Sequence, residues 1–159
     1  MKTKTASAFV AMFIGGMLYI LSRSTTLVMF RWFRFIGIIN GIQALRSSAH
    51  PYLDLLPNWV YFSLPEGLWY LSGLLAFEAI WGSEARLRRQ RRAWIILFSL
   101  LAIASELGQL PGWVPGRFDF TDLAALVAAW VVFASIGLIE NYRLDQERSS
   151  EGETQCLGT

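Results

Sequence analysis

Four long apolar segments, separated by shorter polar stretches, set the pattern of this chain. Each segment approaches the roughly 20 apolar residues that a helix needs to cross a bilayer. They cover about residues 6–21, 64–81, 93–110 and 120–139. The pattern predicts an all-α fold, a polytopic membrane bundle of four transmembrane helices, in a single membrane domain over residues 1–142. A polar tail is predicted over residues 143–159.

A further apolar stretch, residues 25–46, lies between the first two segments and contains Arg31 and Arg34. These arginines are three residues apart and therefore share one face of a helix. One interpretation is an interfacial helix over about residues 27–46 that lies along the membrane surface. The other is a fifth span. A span would place arginine within the membrane at a cost of about 2.5 kcal/mol or more, which favours the interfacial helix.

Basic residues predict the orientation in the membrane. The loop over residues 82–92 contains five arginines, and such clusters mark cytoplasmic loops. With four spans, both chain ends then lie in the cytoplasm, in agreement with the basic residues Lys2, Lys4, Arg143 and Arg148. The start of the second segment, the end of the third and the start of the fourth therefore meet at the outer face.

The composition supports a membrane protein and argues against several other classes. Charged residues make up only 16% of the chain and hydrophobic residues 54%, whereas a typical soluble domain has about 25% charged residues. A net charge of +2 is too small to indicate nucleic-acid binding. With one histidine and one cysteine, the chain offers no His/Cys metal site, disulfide framework or hydrolytic triad. No cofactor and no metal ion are predicted.

Several outer-face carboxylates fit local roles at helix ends. Ser63 and Glu66 have the form of a capping box, and Asp119 has the form of an N-cap. Asp122 then lies in the first helical turn, where negative charge meets the positive end of the helix dipole. Glu106 differs, because it lies about 6 Å inside the end of an apolar segment at 1.5 Å per residue. A carboxylate there needs a partner or a proton and marks a functional site.

Two further polar residues accompany Glu106. Gln109 lies three residues on and shares its helical face. Arg117 is the predicted partner of Glu106, because a guanidinium group binds a carboxylate through two donors. The predicted ligand-binding site comprises Glu66, Glu106, Gln109, Arg117, Asp119 and Asp122. No nucleophile constellation accompanies these residues, so the catalytic residues are unknown and enzymatic activity is disfavoured.

An ordered motif runs through residues 101–130: Glu106, Gln109, Pro115-Gly116-Arg117, Phe118-Asp119 and Asp122. This motif resembles the VanZ-like family of small bacterial membrane proteins. The family often has an asparagine and then a glycine after the second aspartate, whereas residues 123–128 of this chain have no polar side chain. The chain therefore resembles a divergent member. The resemblance implies a place in the bacterial inner membrane and the cell envelope, and it carries no mechanism.

Three functions are compatible with these observations. The favoured one is a cell-envelope protein that binds a polar ligand or lipid head group at an acidic outer pocket, with a lipid-linked precursor or a glycopeptide as candidates. A second is a structural or accessory subunit of a larger complex of membrane proteins. A third is a membrane-interface enzyme whose paired carboxylates act as general base and as Mg²⁺ or Ca²⁺ ligands. Membrane lipids are expected partners of all three.

Overall fold

The computed structural model describes residues 2–53, 55–82 and 84–157, and all regular structure in these ranges is helical. This confirms the predicted all-α class. A single 3₁₀ turn, Ala85–Leu87, precedes the sixth helix. The helices are α1 (Lys2–Ser22), α2 (Val28–Phe35), α3 (Ile39–Leu53), α4 (Asn58–Phe62), α5 (Leu64–Trp81), α6 (Arg88–Gln109) and α7 (Phe120–Leu157).

Three of these helices are long and apolar enough to cross a membrane. They contain the segments Thr3–Ser22 of α1, Arg88–Gln109 of α6 and Phe120–Glu140 of α7. Helices are therefore present where these three spans are predicted, with ends that differ by a few residues, and their length and composition suit a membrane crossing. Helix α5 is 18 residues long but is not among the three. Its two glutamates lower its hydropathy, so its crossing of the membrane stays a prediction.

Helix α5 is the central helix of the bundle, because it packs against α1, α4, α6 and α7. Leu74 of α5 is fully buried, and it joins Tyr70, Leu126 and Ala129 in the apolar core. Gly67 brings α5 and α7 close together. A Cβ atom at this position would lie 3.0 Å from the carbonyl oxygen of Ala125. A larger residue at position 67 would therefore force the two helices apart.

Ion pairs hold one end of the bundle together. Glu78 of α5 accepts hydrogen bonds from Lys4 Nζ at 3.3 Å and from Arg91 Nη1 at 2.9 Å. Lys4 also pairs with Glu140 of α7, so four helices meet in one charged cluster. The arginine-rich loop that the sequence places in the cytoplasm adjoins this end. The first turn of α5 and the last turn of α6 therefore lie at the opposite end of the bundle.

The region before α5 differs from the predicted single helix over residues 27–46. It forms the two helices α2 and α3, which are 8 and 15 residues long. Gly37 lies between them with a φ of +78°, a conformation that glycine adopts readily and other residues rarely do. Neither helix has the length that a span requires, so the structure does not support a fifth span over residues 25–46.

One prediction at a helix end is corrected. Ser63 is not the N-cap of a capping box: its dihedral angles are helical, and its side chain makes no capping hydrogen bond. The reason is that α4 runs almost directly into α5, so Ser63 continues a helical path. Its hydroxyl instead forms a 2.8 Å hydrogen bond with the hydroxyl of Thr121.

The predicted polar tail over residues 143–159 continues α7 as far as Leu157.

A candidate site formed by three carboxylates

Three helices each contribute one carboxylate to the end of the bundle opposite the ion pairs. Glu66 lies in the first turn of α5, Glu106 in the last turn of α6, and Asp122 in the first turn of α7. One carboxylate oxygen from each residue lies within 4.8 Å of the other two. We call these residues the carboxylate triad. Residues distant in sequence meet here because α5 and α7 begin where α6 ends.

Glu106 is the most deeply buried member of the triad, with only 6% of its surface exposed. Its Oε1 accepts a 3.1 Å hydrogen bond from Gln109 Nε2. Its Oε2 is buried and has no hydrogen-bond partner, and the same is true of Asp122 Oδ1. Buried polar atoms in proteins nearly always have a partner. The triad therefore presents two buried acceptor oxygens whose bonding capacity is unused.

Electrostatic repulsion within the triad is large if all three groups are ionised. At 4.8 Å, two negative charges repel by about 3.5 kcal/mol at an effective dielectric constant of about 20. Among the residues the structure describes, no ion pair joins a lysine or arginine to the triad. Arg23 attracts Glu66 only at longer range, and its guanidinium group donates to the Phe62 carbonyl. Protons or a bound cation must therefore compensate part of the charge.

Asp119 lies outside the triad and acts as the N-cap of α7. Its Oδ1 accepts a 2.9 Å hydrogen bond from the backbone N–H of Thr121, which confirms the predicted cap. This hydrogen bond stabilises the charged carboxylate and, with the nearby Arg117, lowers the pKa of Asp119 below its usual value. Asp119 is exposed to solvent. It therefore contributes negative charge near the triad without contacting a ligand held between the three helices.

Arg117 is exposed, and no ion pair with Glu106 is found in the described part of the chain. The residue instead lies close enough to Asp119 to stabilise that charge. The predicted Glu106–Arg117 pair is therefore absent. The physical reason is the path of the turn between α6 and α7, in which Gly112 and Gly116 both have positive φ angles. The sequence does not specify which way such a turn directs the next side chain.

The turn between α6 and α7 also supports Gln109. Backbone N–H groups of Trp113 and Val114 donate to the Gly108 carbonyl at 3.0 and 3.1 Å, so the turn folds back over the end of α6. Gly116 then lies against the Gln109 amide, and a Cβ atom at Gly116 would approach Gln109 Oε1 to 2.7 Å. Glycine at this position therefore keeps room for the Gln109–Glu106 hydrogen bond. Gly116 belongs to the ordered motif in the sequence, but its contact with Gln109 was not predicted.

A mainly apolar groove of about 280 Å³ lies beside α5, α6 and α7, about one helical turn away from the triad residues along the chain. Tyr70, four residues after Glu66, donates a 2.6 Å hydrogen bond to Ser99 within its lining. These two residues were not predicted, although the spacing of Tyr70 from Glu66 is a usable signal. The residues that line the groove are Tyr70, Ser99, Ile103, Leu126, Val127, Trp130 and Val131. Val127, Trp130 and Val131 are exposed, so the groove opens on the outside of the bundle.

The structure thus brings together four of the six predicted site residues, namely Glu66, Glu106, Gln109 and Asp122, and leaves Arg117 and Asp119 at the periphery. No protein-family model, no curated protein and no solved structure matches the chain. The resemblance to the VanZ-like family stays a prediction that rests on the ordered motif.

Proposed function

We propose that this protein is a small integral membrane protein of the bacterial cell envelope that binds a positively charged ligand or head group at the carboxylate triad. One observation carries the proposal: three helices place carboxylate oxygens within 4.8 Å of one another, and two of the buried oxygens have no partner. Carboxylates at such a distance attract a cation because they repel one another. Membrane lipids and a lipid-linked envelope precursor are candidate sources of the charged group.

In this proposal α5 is the fourth span, and both chain ends are cytoplasmic. Helix α5 packs against all three helices that are apolar enough to cross a membrane, so it shares their surroundings. The triad then lies near the outer surface, while Arg91 and Glu78 lie near the cytoplasmic one. Large apolar side chains exposed along α1, α6 and α7 suit contact with lipid tails. Examples are Phe9, Phe13, Leu100, Leu101, Val127 and Leu138.

We favour ligand binding over catalysis because two buried carboxylate oxygens lack partners, whereas the nearby hydroxyl groups are already hydrogen-bonded. Ser63 and Thr121 are the nearest hydroxyl groups described at this end of α5 and α7, and they hydrogen-bond to each other. A ligand complementary to the triad must therefore supply positive charge or hydrogen-bond donors. Glycopeptides and lipid-linked precursors that carry amino groups meet this requirement, as do simple cations.

Binding to the purified protein in lipid nanodiscs tests the proposal. The probes are Ca²⁺, Mg²⁺ and phosphatidylethanolamine, with phosphatidylglycerol nanodiscs as the lipid background. The readout is the thermal unfolding midpoint, followed by tryptophan fluorescence. We expect at least one probe to raise the midpoint of the wild type, and Glu106→Gln to abolish that rise. The matched control is Glu84→Gln, because Glu84 is exposed near the opposite end. The proposal is refuted if every probe shifts the unfolding midpoints of Glu106→Gln and Glu84→Gln equally.

A further inference from the structure

We infer that the ligand of the carboxylate triad is a hard divalent metal ion of the size of Ca²⁺, bound by Glu66, Glu106 and Asp122. The inference rests on the proposed function and makes it more specific. The sequence invokes Mg²⁺ or Ca²⁺ only in the disfavoured enzyme hypothesis and does not specify a set of ligands. The three ligands named here come together only in the folded chain. Three features of the triad support the inference: the spacing of the oxygens, their burial and the orientation of one carboxylate by Gln109.

The spacing of the oxygens fits the coordination sphere of Ca²⁺. This ion binds about six to eight oxygen ligands at about 2.3–2.6 Å in flexible geometry, so its ligand oxygens lie up to about 5.2 Å apart. The triad oxygens lie within 4.8 Å of one another. Mg²⁺ requires a near-ideal octahedron, usually keeps several waters and is held by about one or two carboxylates. Three carboxylates at one point therefore favour Ca²⁺ over Mg²⁺.

The burial of Glu106 separates the triad from an ordinary acidic surface patch. Only 6% of the surface of Glu106 is exposed. One of its carboxylate oxygens lies in the triad, and its Oε2 is buried without a hydrogen-bond partner. Asp122 Oδ1 is a second buried oxygen without a partner. Carboxylates on a solvated surface have water around both oxygens. Two buried acceptors at one point therefore indicate a ligand that provides positive charge.

Gln109 is a positioning residue for this site. An ionised carboxylate accepts hydrogen bonds and has none to donate. The Gln109 amide therefore turns its NH₂ group toward Glu106 and donates the 3.1 Å hydrogen bond. This bond occupies Oε1 and leaves Oε2 for the metal ion. Gly116 keeps space for the amide. Residues that orient metal ligands in this way typically contribute 10- to 100-fold to metal affinity.

The surroundings favour an ion over a larger cationic head group. The backbone of the turn after α6 folds back onto Gly108, and the three helices enclose the triad from the other sides. An ammonium group attached to a lipid must bring its own chain past these elements, whereas a metal ion enters alone. Three ionised carboxylates and one divalent ion leave a net charge of one negative unit. Arg23 lies within electrostatic range of Glu66 and offsets this negative charge.

Isothermal titration calorimetry of the whole protein in nanodiscs, after removal of metal with a chelator, tests the inference. We expect one equivalent of Ca²⁺ to bind the wild type at least about 10-fold more tightly than Mg²⁺. Glu106→Gln and Asp122→Asn should lose Ca²⁺ binding, and Gln109→Ala should weaken it by about 10- to 100-fold. Glu84→Gln should bind like the wild type.

A folding control keeps the variants informative. Glu106→Gln without metal should unfold at a higher temperature than the wild type without metal, so loss of Ca²⁺ binding cannot be attributed to misfolding. Absence of Ca²⁺ binding to the wild type at millimolar concentration, or equal binding by Glu106→Gln, overturns the metal inference. If Ca²⁺ does not bind but phosphatidylethanolamine stabilises the wild type and not Glu106→Gln, the proposed function holds and the metal inference is wrong. If no probe distinguishes the wild type from Glu106→Gln, the proposed function and the metal inference are both wrong.

Discussion

Replacing Glu106 by glutamine should stabilise the metal-free protein, which is unusual for a change at a buried polar residue. The substitution removes repulsion with Glu66 and Asp122, each worth up to about 3.5 kcal/mol at 4.8 Å and an effective dielectric constant of about 20. The new amide keeps an oxygen to accept from Gln109. Its NH₂ group can donate to Asp122 Oδ1, which has no partner in the present structure.

The net gain is smaller than the sum of the two repulsions. Protons already reduce the charge of the wild-type triad, and the hydrogen bond from Gln109 loses its charge-assisted strength of about 1 kcal/mol. We therefore expect a net stabilisation of about 2 kcal/mol. For a chain of this length, that corresponds to a rise of about 4–8 °C in the unfolding midpoint.

The assay is thermal unfolding in chelator-treated detergent micelles, followed by the fluorescence of the seven tryptophans. Glu84→Gln is the matched control, and it should change the free energy of unfolding by less than about 0.5 kcal/mol because Glu84 is exposed. A Glu106→Gln protein that is less stable than the wild type by 2 kcal/mol or more would refute the reasoning. That result would mean that Glu106 is charged and has a favourable partner.

Three further substitutions test other parts of the account. Gly116→Ala should lower Ca²⁺ affinity about 10-fold or more in calorimetry, because the new methyl group displaces Gln109; unchanged affinity would show that Gln109 is not needed. Leu74→Ala should cost about 2–5 kcal/mol in denaturant unfolding, because Leu74 is fully buried, and a cost below 1 kcal/mol would contradict its place in the core. Glu78→Gln should cost about 1–2 kcal/mol in the same assay, because Arg91 loses its carboxylate partner and Lys4 loses one of two; a neutral result would show that the pairs are solvated.

Hydropathy predicted much of the fold because the signal is continuous along each long helix. Helices α1, α6 and α7 contain uninterrupted apolar runs, and their predicted positions agree with the structure to within a few residues at most ends. The break between α2 and α3 was not predicted, because Gly37 lies inside an apolar run and its positive φ depends on the packing around it. This region packs onto the bundle, because α3 contacts α1 and Arg46 donates a hydrogen bond to the Ile20 carbonyl of α1.

The convergence of the carboxylates was predictable because it depends on topology. Consecutive spans run in opposite directions, so the same end of the bundle holds Glu66, Glu106 and Asp122. The arginine-rich loop predicts that this end is the outer one. Their side-chain partners were not predictable. Ser63 had the sequence of an N-cap, but the preceding helix α4 gives it helical dihedral angles and leaves Glu66 free for the triad. Arg117 had the right chemistry for Glu106, but the glycine-rich turn leaves it exposed.

The central claim is that Glu66, Glu106 and Asp122 together bind a divalent metal ion. The most direct measurement is the anomalous difference density of crystals of the whole protein grown with Mn²⁺, an ion that oxygen sites also accept. The account predicts one strong peak with carboxylate oxygens of all three residues at about 2.0–2.6 Å, absent in crystals of Glu106→Gln. A wild-type map without a peak at the triad, or with the strong peak at another site, would contradict the claim.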